Sequence, residues 1–519
     1  MSVEEDSGQA ESGVRDGVSG LKKVLFLTSS EYGQANVILA VAYELLLRRK
    51  YEVHIMSFEL LKKRVKEISD LAAVEKQHAA TFHTVPGLSY IQAIDRNTQS
   101  FGPYPPGVKG ALKTYKITLP IMATAWDGPE YMTGYSACLE TLRTMVPDII
   151  VVDPFFDQGL QACKTASRDY VVLSPNTFQE ILKKQQPFLH RLCTYPAISS
   201  GFAYPVPWSQ VPANIYLKIS MLFILLRSPK MKTLMNLRKS QNLPAIPPNF
   251  DLWQPQNHYL VPSIPETDFP CKITSNVTPC GPLLLPVSPV SEIDPALGAW
   301  LERGPTVLIN LGSHIRMDNI MVREFAVGLK VLLDRRPKIQ VLWKLKTSGG
   351  LALPPTKSDP RSHKLAKLEE DDDALGKGSL DAITNEIVGG RVKIMEWMSV
   401  DPLAVLQTGH IVCSVHHGGS NSFHEALSVG VPHIVLPCWL DTLEFANRVE
   451  WLGIGVYGSR TAAPRVDAWE LSRALMRVLG DSKEALKMNK KANELAAICS
   501  KVGGRAKACE KIINLLERS

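Results

Sequence analysis

The stretch Gly409–Asn447 (GHIVCSVHHGGSNSFHEALSVGVPHIVLPCWLDTLEFAN) constrains the fold of this chain more than any other. An apolar run, Ile411–Val415, meets the glycine pair Gly418-Gly419, then a polar segment opens a helical pattern, and a second apolar run follows. That order is strand, tight loop, helix, strand. A helix entered through glycines presents free N–H groups and the positive end of its dipole, which suits a diphosphate. His417, Gly419, Asn421, Ser422 and, one turn on, Glu425 stand at that corner. A phosphate partner, small residues and a carboxylate for sugar hydroxyls together suggest a nucleotide-sugar pocket. Asn421 and Glu425 are i and i+4, on one helical face, and a carboxylate can accept both hydroxyls of a ribose.

The same strand-helix alternation runs along the chain and argues for α/β layers with parallel sheets. Lys22–Thr28 is a first buried strand, followed by a glycine-led helix with Ile38, Val41, Ala42 and Leu45 at helical spacing. Tyr51–Ser57, Pro147–Asp153 and Tyr170–Ser174 continue the series. A second series begins at Pro305–Ser313 and runs through Ile339–Lys344 and Arg391–Trp397 to the opening stretch. With 519 residues, roughly two domains are expected. The reading is an acidic, disordered tail over 1–20, a first Rossmann-like domain over 21–282 and a proline-studded linker over 283–300. A second Rossmann-like domain follows over 301–480, with a mobile polar insertion at 349–390, and helices over 481–519 pack back toward the first domain. In such sheets ligands sit beyond the carboxyl ends of the strands. Gly33, Asp153, Gly312-Ser313 and the His417 loop all fall there.

Composition narrows the function classes. A net charge of +7 fits anionic ligands or membrane surfaces, and no nucleic-acid-binding signature is present. Nine cysteines without a C-x-x-C pair read as a reducing, cytoplasmic setting. The N-terminus lacks the apolar core of a signal peptide, and no run reaches the roughly 18 apolar residues of a bilayer span. The nearest, Ile215–Leu226, is broken by Lys218 and followed by Arg227, Lys230 and Lys232. It reads as a buried helix or as a basic-flanked surface, over 215–232, that touches membranes peripherally. No metal site is expected. Asp371 and Asp373 lie in a solvated charge run, and His410, His416, His417 and His424 lack a closing cysteine pair.

From Trp397 to Asn447 the residues resemble the donor-binding signature of family 1 UDP-glycosyltransferases, which have the GT-B fold. The likeness extends from Leu21 to about residue 500, and CWLDT with the long insertion looks most like fungal members. The resemblance implies that His417, Gly419, Asn421 and Ser422 hold the diphosphate, Glu425 the ribose and Trp397 the uracil. It places Gly312-Ser313 against the phosphates and Asp441, with Thr442 beside it, on the sugar. The family's usual Gln stands as Thr442, and its Pro-Gln after the tryptophan as Ser399-Val400. UDP-sugar is then a co-substrate, and no cofactor is implied.

The implied reaction is inverting, metal-independent transfer of a hexosyl (glucosyl above all) or pentosyl group to a small lipophilic hydroxyl compound such as a polyketide, terpenoid or sterol. Trp208, Phe223 and Trp253 are expected to wall a greasy acceptor cleft. The family's catalytic histidine is absent: Gly-His-x-Asn stands here as Gly33-Gln34-Ala35-Asn36. An amide is no base near neutral pH, whereas general-base catalysis contributes roughly 10²–10⁴-fold. Three readings stand. Asp153 takes the proton directly while Gln34 positions the hydroxyl; Glu31 or another carboxylate is the base; or the protein binds UDP-sugar without turning it over.

Overall fold

The computed structural model describes residues 20–73, 78–96, 103–313, 315–348 and 378–518. The first sheet contains β1 (Lys22–Leu27), β2 (Tyr51–Phe58), β3 (Thr81–Val85), β4 (Ile149–Val152), β5 (Val171–Leu173), β6 (His258–Val261) and β7 (Val277–Pro279). Their order is β3-β2-β1-β4-β5-β6-β7, all parallel. The second contains β8 (Thr306–Asn310), β9 (Gln340–Lys344), β10 (Val392–Met395), β11 (Ile411–His416), β12 (His433–Val435) and β13 (Gly455–Tyr457). Its order is β10-β9-β8-β11-β12-β13, again all parallel. Strand order reverses direction between β1 and β4 and between β8 and β11, the switch points at which such sheets bind ligands.

Continuous apolar strands form because both faces are covered. Side chains alternate along a strand, so Val24 and Phe26 enter one core with the helix Tyr32–Arg48, while Leu25 and Leu27 enter another with Phe156 and Tyr131. In the second domain Val307 and Ile309 join Phe325 and Trp343, whose rings stack at 5.2 Å, and Leu308 faces the opposite layer.

Three expected boundaries differ from the structure. Leu283 and Leu285 still belong to the first core. Val290–Ile293 and Pro295–Leu301, expected as linker, are helices whose Val290, Leu297, Trp300 and Leu301 pack under β8. Their helical apolar spacing outweighs the prolines, which sit at helix starts where no N–H is needed. The acidic tail lies outside the described residues except for Gly20, as do 349–377, Asp371 and Asp373 included. Beyond them Leu380, Ile383 and Ile387 return the chain to the second core, so 378–390 is part of that domain's packing.

The C-terminal helices divide between the domains. Lys483–Val502 packs Ala492, Leu495 and Cys499 on the second. Gly503 and Gly504, both at positive φ, then turn the chain, and a Cβ on Gly504 would stand 2.5 Å from the Pro282 carbonyl oxygen. The last helix, Arg505–Leu516, buries Ala508, Cys509, Ile512 and Leu516 in the first core. Arg505 Nε binds Glu44 at 2.7 Å, and Lys22 Nζ donates to the Leu516 carbonyl at 2.8 Å.

One buried ion pair spans the two domains. Arg448, fully enclosed, meets Asp268 Oδ1 at 3.0 Å and Glu444 Oε1 at 2.7 Å, with the Phe269 ring 4.6 Å beneath its guanidinium. Removing Asp268 leaves the buried Arg448 with Glu444 as its remaining counter-charge. Asp268→Ala should therefore lower the unfolding free energy by about 1.5–3 kcal/mol in urea titrations. Adding Arg448→Met to it should return part of that loss. A deficit below about 1 kcal/mol in the single variant would refute the assignment.

Candidate functional site

The loop after β11 is shaped by close packing. Gly418 has φ +89° and lies against Thr442, whose carbonyl oxygen would be 2.7 Å from any Cβ there. A Cβ on Gly419 would stand 2.5 Å from His417 Nε2, and one on Gly312, at φ +86°, 3.0 Å from the same ring. Only glycine lets the two loops close around the His417 imidazole. Gly419 caps the helix Ser420–Ser428 with no side chain bonded to its first N–H groups. That end carries donors and dipole aimed at one point, with Asn421 and Ser422 in the first turn.

His416 and His417 part company at the strand end. His416 is buried; its Nδ1 accepts the Gly418 N–H at 3.1 Å, so its proton sits on Nε2, which donates to His433 Nδ1 at 3.0 Å. Burial pushes both below the usual histidine range, His433 to about 3, so this neutral pair braces the loop. His417 instead lies half-buried beside Gly312, its ring 6.2 Å from that of Trp439.

Around this corner stand the other residues expected on the donor side. Gly312 N–H is held by Asn310 Oδ1 at 3.1 Å, and the exposed Ser313 accepts Lys346 Nζ on its carbonyl at 3.1 Å. Trp397, just past β10, is 60 % exposed, with Lys344 Nζ 4.4 Å from its ring centre. One face of the indole is thus covered by a cation. The two lysines add positive charge at the ends of the strands. Glu425 is half-buried; desolvation, and then the Asp401 charge, push its carboxyl up to about 8 against the pull of Arg64. Arg64 comes from the first domain, pairs with Asp401 at 3.5 Å and lies 5.2 Å over the Tyr32 ring.

Two expected donor contacts behave differently. Asp441, half-buried at the start of the helix Thr442–Leu452, makes no cap bond and is pushed up to about 6, by desolvation first. Thr442, expected beside the sugar, is buried, and its hydroxyl is wholly engaged within its own turn. It accepts from Cys438 N at 3.1 Å and Trp439 N at 3.0 Å and donates to the Trp439 carbonyl. With both acceptor positions and the proton committed, Thr442 braces the turn that carries Asp441.

The first domain supplies the facing wall. Asn421 Nδ2 donates across the cleft to the Tyr32 carbonyl at 3.2 Å, and Ser420 Oγ to the Pro175 carbonyl at 2.6 Å. The helices Tyr32–Arg48 and Ser420–Ser428 therefore bring their N-terminal ends together, positive pole toward positive pole. At the start of the former, Ser30 Oγ, Glu31 Oε2, Gln34 Oε1 and Asn36 Oδ1 are buried and have no hydrogen-bond partner in the protein. Unpaired buried polar atoms cost free energy, and the four over Ser30–Asn36 leave hydrogen-bonding capacity that a polar ligand could use.

Asp153, the expected base, is 1 % exposed. Its Oδ2 accepts from Thr28 Oγ1 at 3.2 Å, Ser29 N at 3.4 Å and Ser29 Oγ at 3.2 Å, and its Oδ1 from Phe155 N at 2.9 Å. Burial still pushes it up to about 6. Both oxygens are occupied from within, so direct contact with an acceptor hydroxyl, as the sequence suggests, does not fit this geometry. Glu31, two residues past Ser29, has only Oε1 engaged, by Ile91 N at 2.9 Å, and desolvation raises its pKa.

The expected acceptor wall also moves. Trp253, partly buried, stacks on Tyr259 at 4.9 Å at the edge of a core of the first domain, whereas Trp208 is 89 % and Phe223 52 % exposed on an outer surface. The apolar rings beside Gln34 and Asp153 are instead the exposed Tyr32 and Phe155. Sequence reasoning also missed Arg64, Asp401 and Glu180. Desolvation in the cleft, then the Asp441 charge, pushes Glu180 up to about 8, and Asn176 Nδ2 holds it at 2.7 Å. The segment Asn176–Glu180, separated from β5 by two residues and polar apart from Phe178, was the available signal.

Known proteins match this architecture. The model described as the erythromycin biosynthesis protein CIII-like C-terminal domain matches residues 380–502. Glycosyltransferase sdnJ of Sordaria araneosa is 36 % identical over 524 residues, covering 95 % of this chain and 97 % of its own. A UDP-glycosyltransferase of Talaromyces amestolkiae is 26 % identical over 49 % of this chain and 44 % of its own. The solved UDP-glucosyltransferase from Polygonum tinctorium, a likeness of fold at 16 % identity, superposes with a TM-score of 0.60 over 96 % of this chain and 99 % of its own. The full-length relative and the paired parallel sheets together establish that this chain belongs to the family 1 UDP-glycosyltransferases, enzymes of the GT-B fold.

Proposed function

We propose that this glycosyltransferase moves a hexosyl group, glucosyl above all, or a pentosyl group from UDP to a hydroxyl of a small lipophilic acceptor, with inversion and without a metal ion. The observation that carries this reading is the meeting of two helix N-terminal ends at one cleft, with unpaired polar atoms on the acceptor side. On the donor side, the free face of Trp397 takes the uracil and Glu425 the ribose hydroxyls. The N–H groups of Ser420–Ser422, with His417 and the Gly312-Ser313 loop, take the diphosphate. Lys344 and Lys346 add cationic charge near the departing UDP. Asp441 and Glu180 approach the sugar from opposite domains, and Tyr32 and Phe155 give the acceptor an apolar seat.

In the proposed step the acceptor oxygen attacks the anomeric carbon while the bond to the diphosphate breaks and UDP keeps the electron pair. Gln34 orients the hydroxyl, and Glu31 takes its proton. A carboxylate raised by burial is a stronger base than a solvated one. Asp153 acts through Ser29 as a positioning residue that fixes the loop. Glu31→Gln should lower kcat by about 10²–10⁴-fold with UDP affinity unchanged. Asp153→Asn, which turns an amide toward donors, should reduce activity together with thermal stability. Full turnover in Glu31→Gln would remove Glu31 from the mechanism.

The substitution Gln34 for histidine favours a second reading, a UDP-sugar-binding protein without turnover. Purified protein offered UDP-glucose, UDP-xylose and UDP-N-acetylglucosamine with phenols and terpenoid alcohols should release UDP. Measurable UDP binding with no release from any pair would decide for the silent reading.

Glu425 gives a pH test. Its carboxyl, raised to about 8, must lose a proton to accept from both ribose hydroxyls. UDP affinity should therefore tighten as pH rises from about 7 to 9, by up to about tenfold, and Glu425→Gln should bind weakly without that slope. Isothermal titration across the range checks it; an equal slope in the variant would exclude Glu425 as its source.

A further inference from the structure

The helix Val211–Arg227 leaves an apolar face uncovered. Tyr216, Ile219, Phe223 and Leu226 follow one another at i, i+3, i+7 and i+10 along its outer side, with Leu222 beside them, and all are exposed. From Tyr216 to Leu226 the stripe is roughly 15 Å long on a helix of 17 residues. At its start Trp208 stands 89 % exposed, and Phe188 and Leu189 of the neighbouring segment are exposed as well. Contiguous apolar surface on this scale marks an interaction site.

Lys218, which interrupts the apolar run in sequence, does not interrupt it in space. It turns inward, donating to the Arg191 and Tyr195 carbonyls, each at 2.5 Å, and burial lowers its pKa to about 7. Asn214 on the same inner side bonds the Leu192 and Tyr195 carbonyls at 3.0 Å, and Leu217 packs with Ala111, Tyr115 and Ala197. Trp208–Arg227 reaches the length of a bilayer span with a mean hydropathy of 1.3. Its inner side is nevertheless fixed to the first domain by polar bonds, so the helix can lie along a bilayer but not cross it.

Charge identifies the occupant. Ile181–Phe250 contains nine Lys or Arg and no Asp or Glu, more positive charge than the whole chain's net +7. Arg238 and Lys218 face inward, but Arg227, Lys230, Lys232 and Lys239 are exposed around the end of the stripe and on the next helix. A second copy docked here by two-fold symmetry would set this basic surface against itself. An anionic lipid surface complements it, and the pattern of Trp, Phe and Leu beside Lys and Arg is that of an interfacial helix. We propose that Trp208–Lys232 seats the enzyme on anionic membranes, with the outer stripe in the headgroup boundary.

The test uses the full chain with vesicles of phosphatidylcholine alone and with about 30 % phosphatidylserine, read by co-sedimentation. Binding should favour the anionic vesicles and weaken with salt. Leu222→Glu with Phe223→Glu should lose at least about tenfold in vesicle affinity. Arg227→Glu with Lys230→Glu and Lys232→Glu should lose the preference for phosphatidylserine. Both variants should bind UDP as the parent does, which separates this proposal from the donor-site reading. Failure of the parent to bind either vesicle would overturn it. So would unchanged vesicle binding in Leu222→Glu/Phe223→Glu, or a parent dimer that this variant converts to monomer without any vesicle binding.

Discussion

A parallel sheet covered on both faces leaves only the ends of its strands for chemistry, and this constraint organises the whole molecule. Both sheets direct the ends of β1, β4, β8 and β11 at one cleft. Helices that follow those strands begin there too, so each domain contributes a positive pole and a row of free N–H groups. The fixed dipoles of the backbone thereby prepare the site for a diphosphate before any charged side chain is counted. Lys344 and Lys346 reinforce that field, and the carboxylates Glu31, Asp441, Glu180 and Glu425 stand around it. Desolvation is the first cause of a raised pKa at all four.

The placement of most residues expected on the donor side was legible in the sequence because it is local. A strand, two glycines and a helix start dictate where His417, Asn421 and Glu425 stand, with no knowledge of the rest of the fold. What lay hidden depends on contacts between distant segments. Arg64 reaches Asp401, and Glu180 comes to face Asp441, only once the two domains are apposed. Thr442 was misplaced for a related reason: spacing puts it beside Asp441, but nothing in the sequence shows that its hydroxyl turns back into its own loop. Lys218 looks like a breaker in one dimension and is an inward tether in three. Trp208, Phe223 and Trp253 share a composition-rich region, yet the fold sends one to the edge of a core and two to the surface.

The departure at Gln34 now has a physical setting. The residues around it retain buried, unpaired oxygen atoms, and Asp153 is held too firmly by Thr28, Ser29 and Phe155 to act at a distance. In the proposed mechanism the loss of an imidazole there passes the demand for a base to Glu31 on the neighbouring turn, which needs no rearrangement of β1 or of the helix behind it.

The polypeptide crosses between the domains twice, near Pro286–Pro289 and again at Gly503-Gly504, where it passes beside Pro282. The two links run side by side, with Gly504 N donating to the Cys280 carbonyl at 2.9 Å. Covalent continuity therefore tethers the domains along one edge alone, and across the cleft they are held by noncovalent contacts: Asn421 to Tyr32, Ser420 to Pro175 and Arg448 to Asp268.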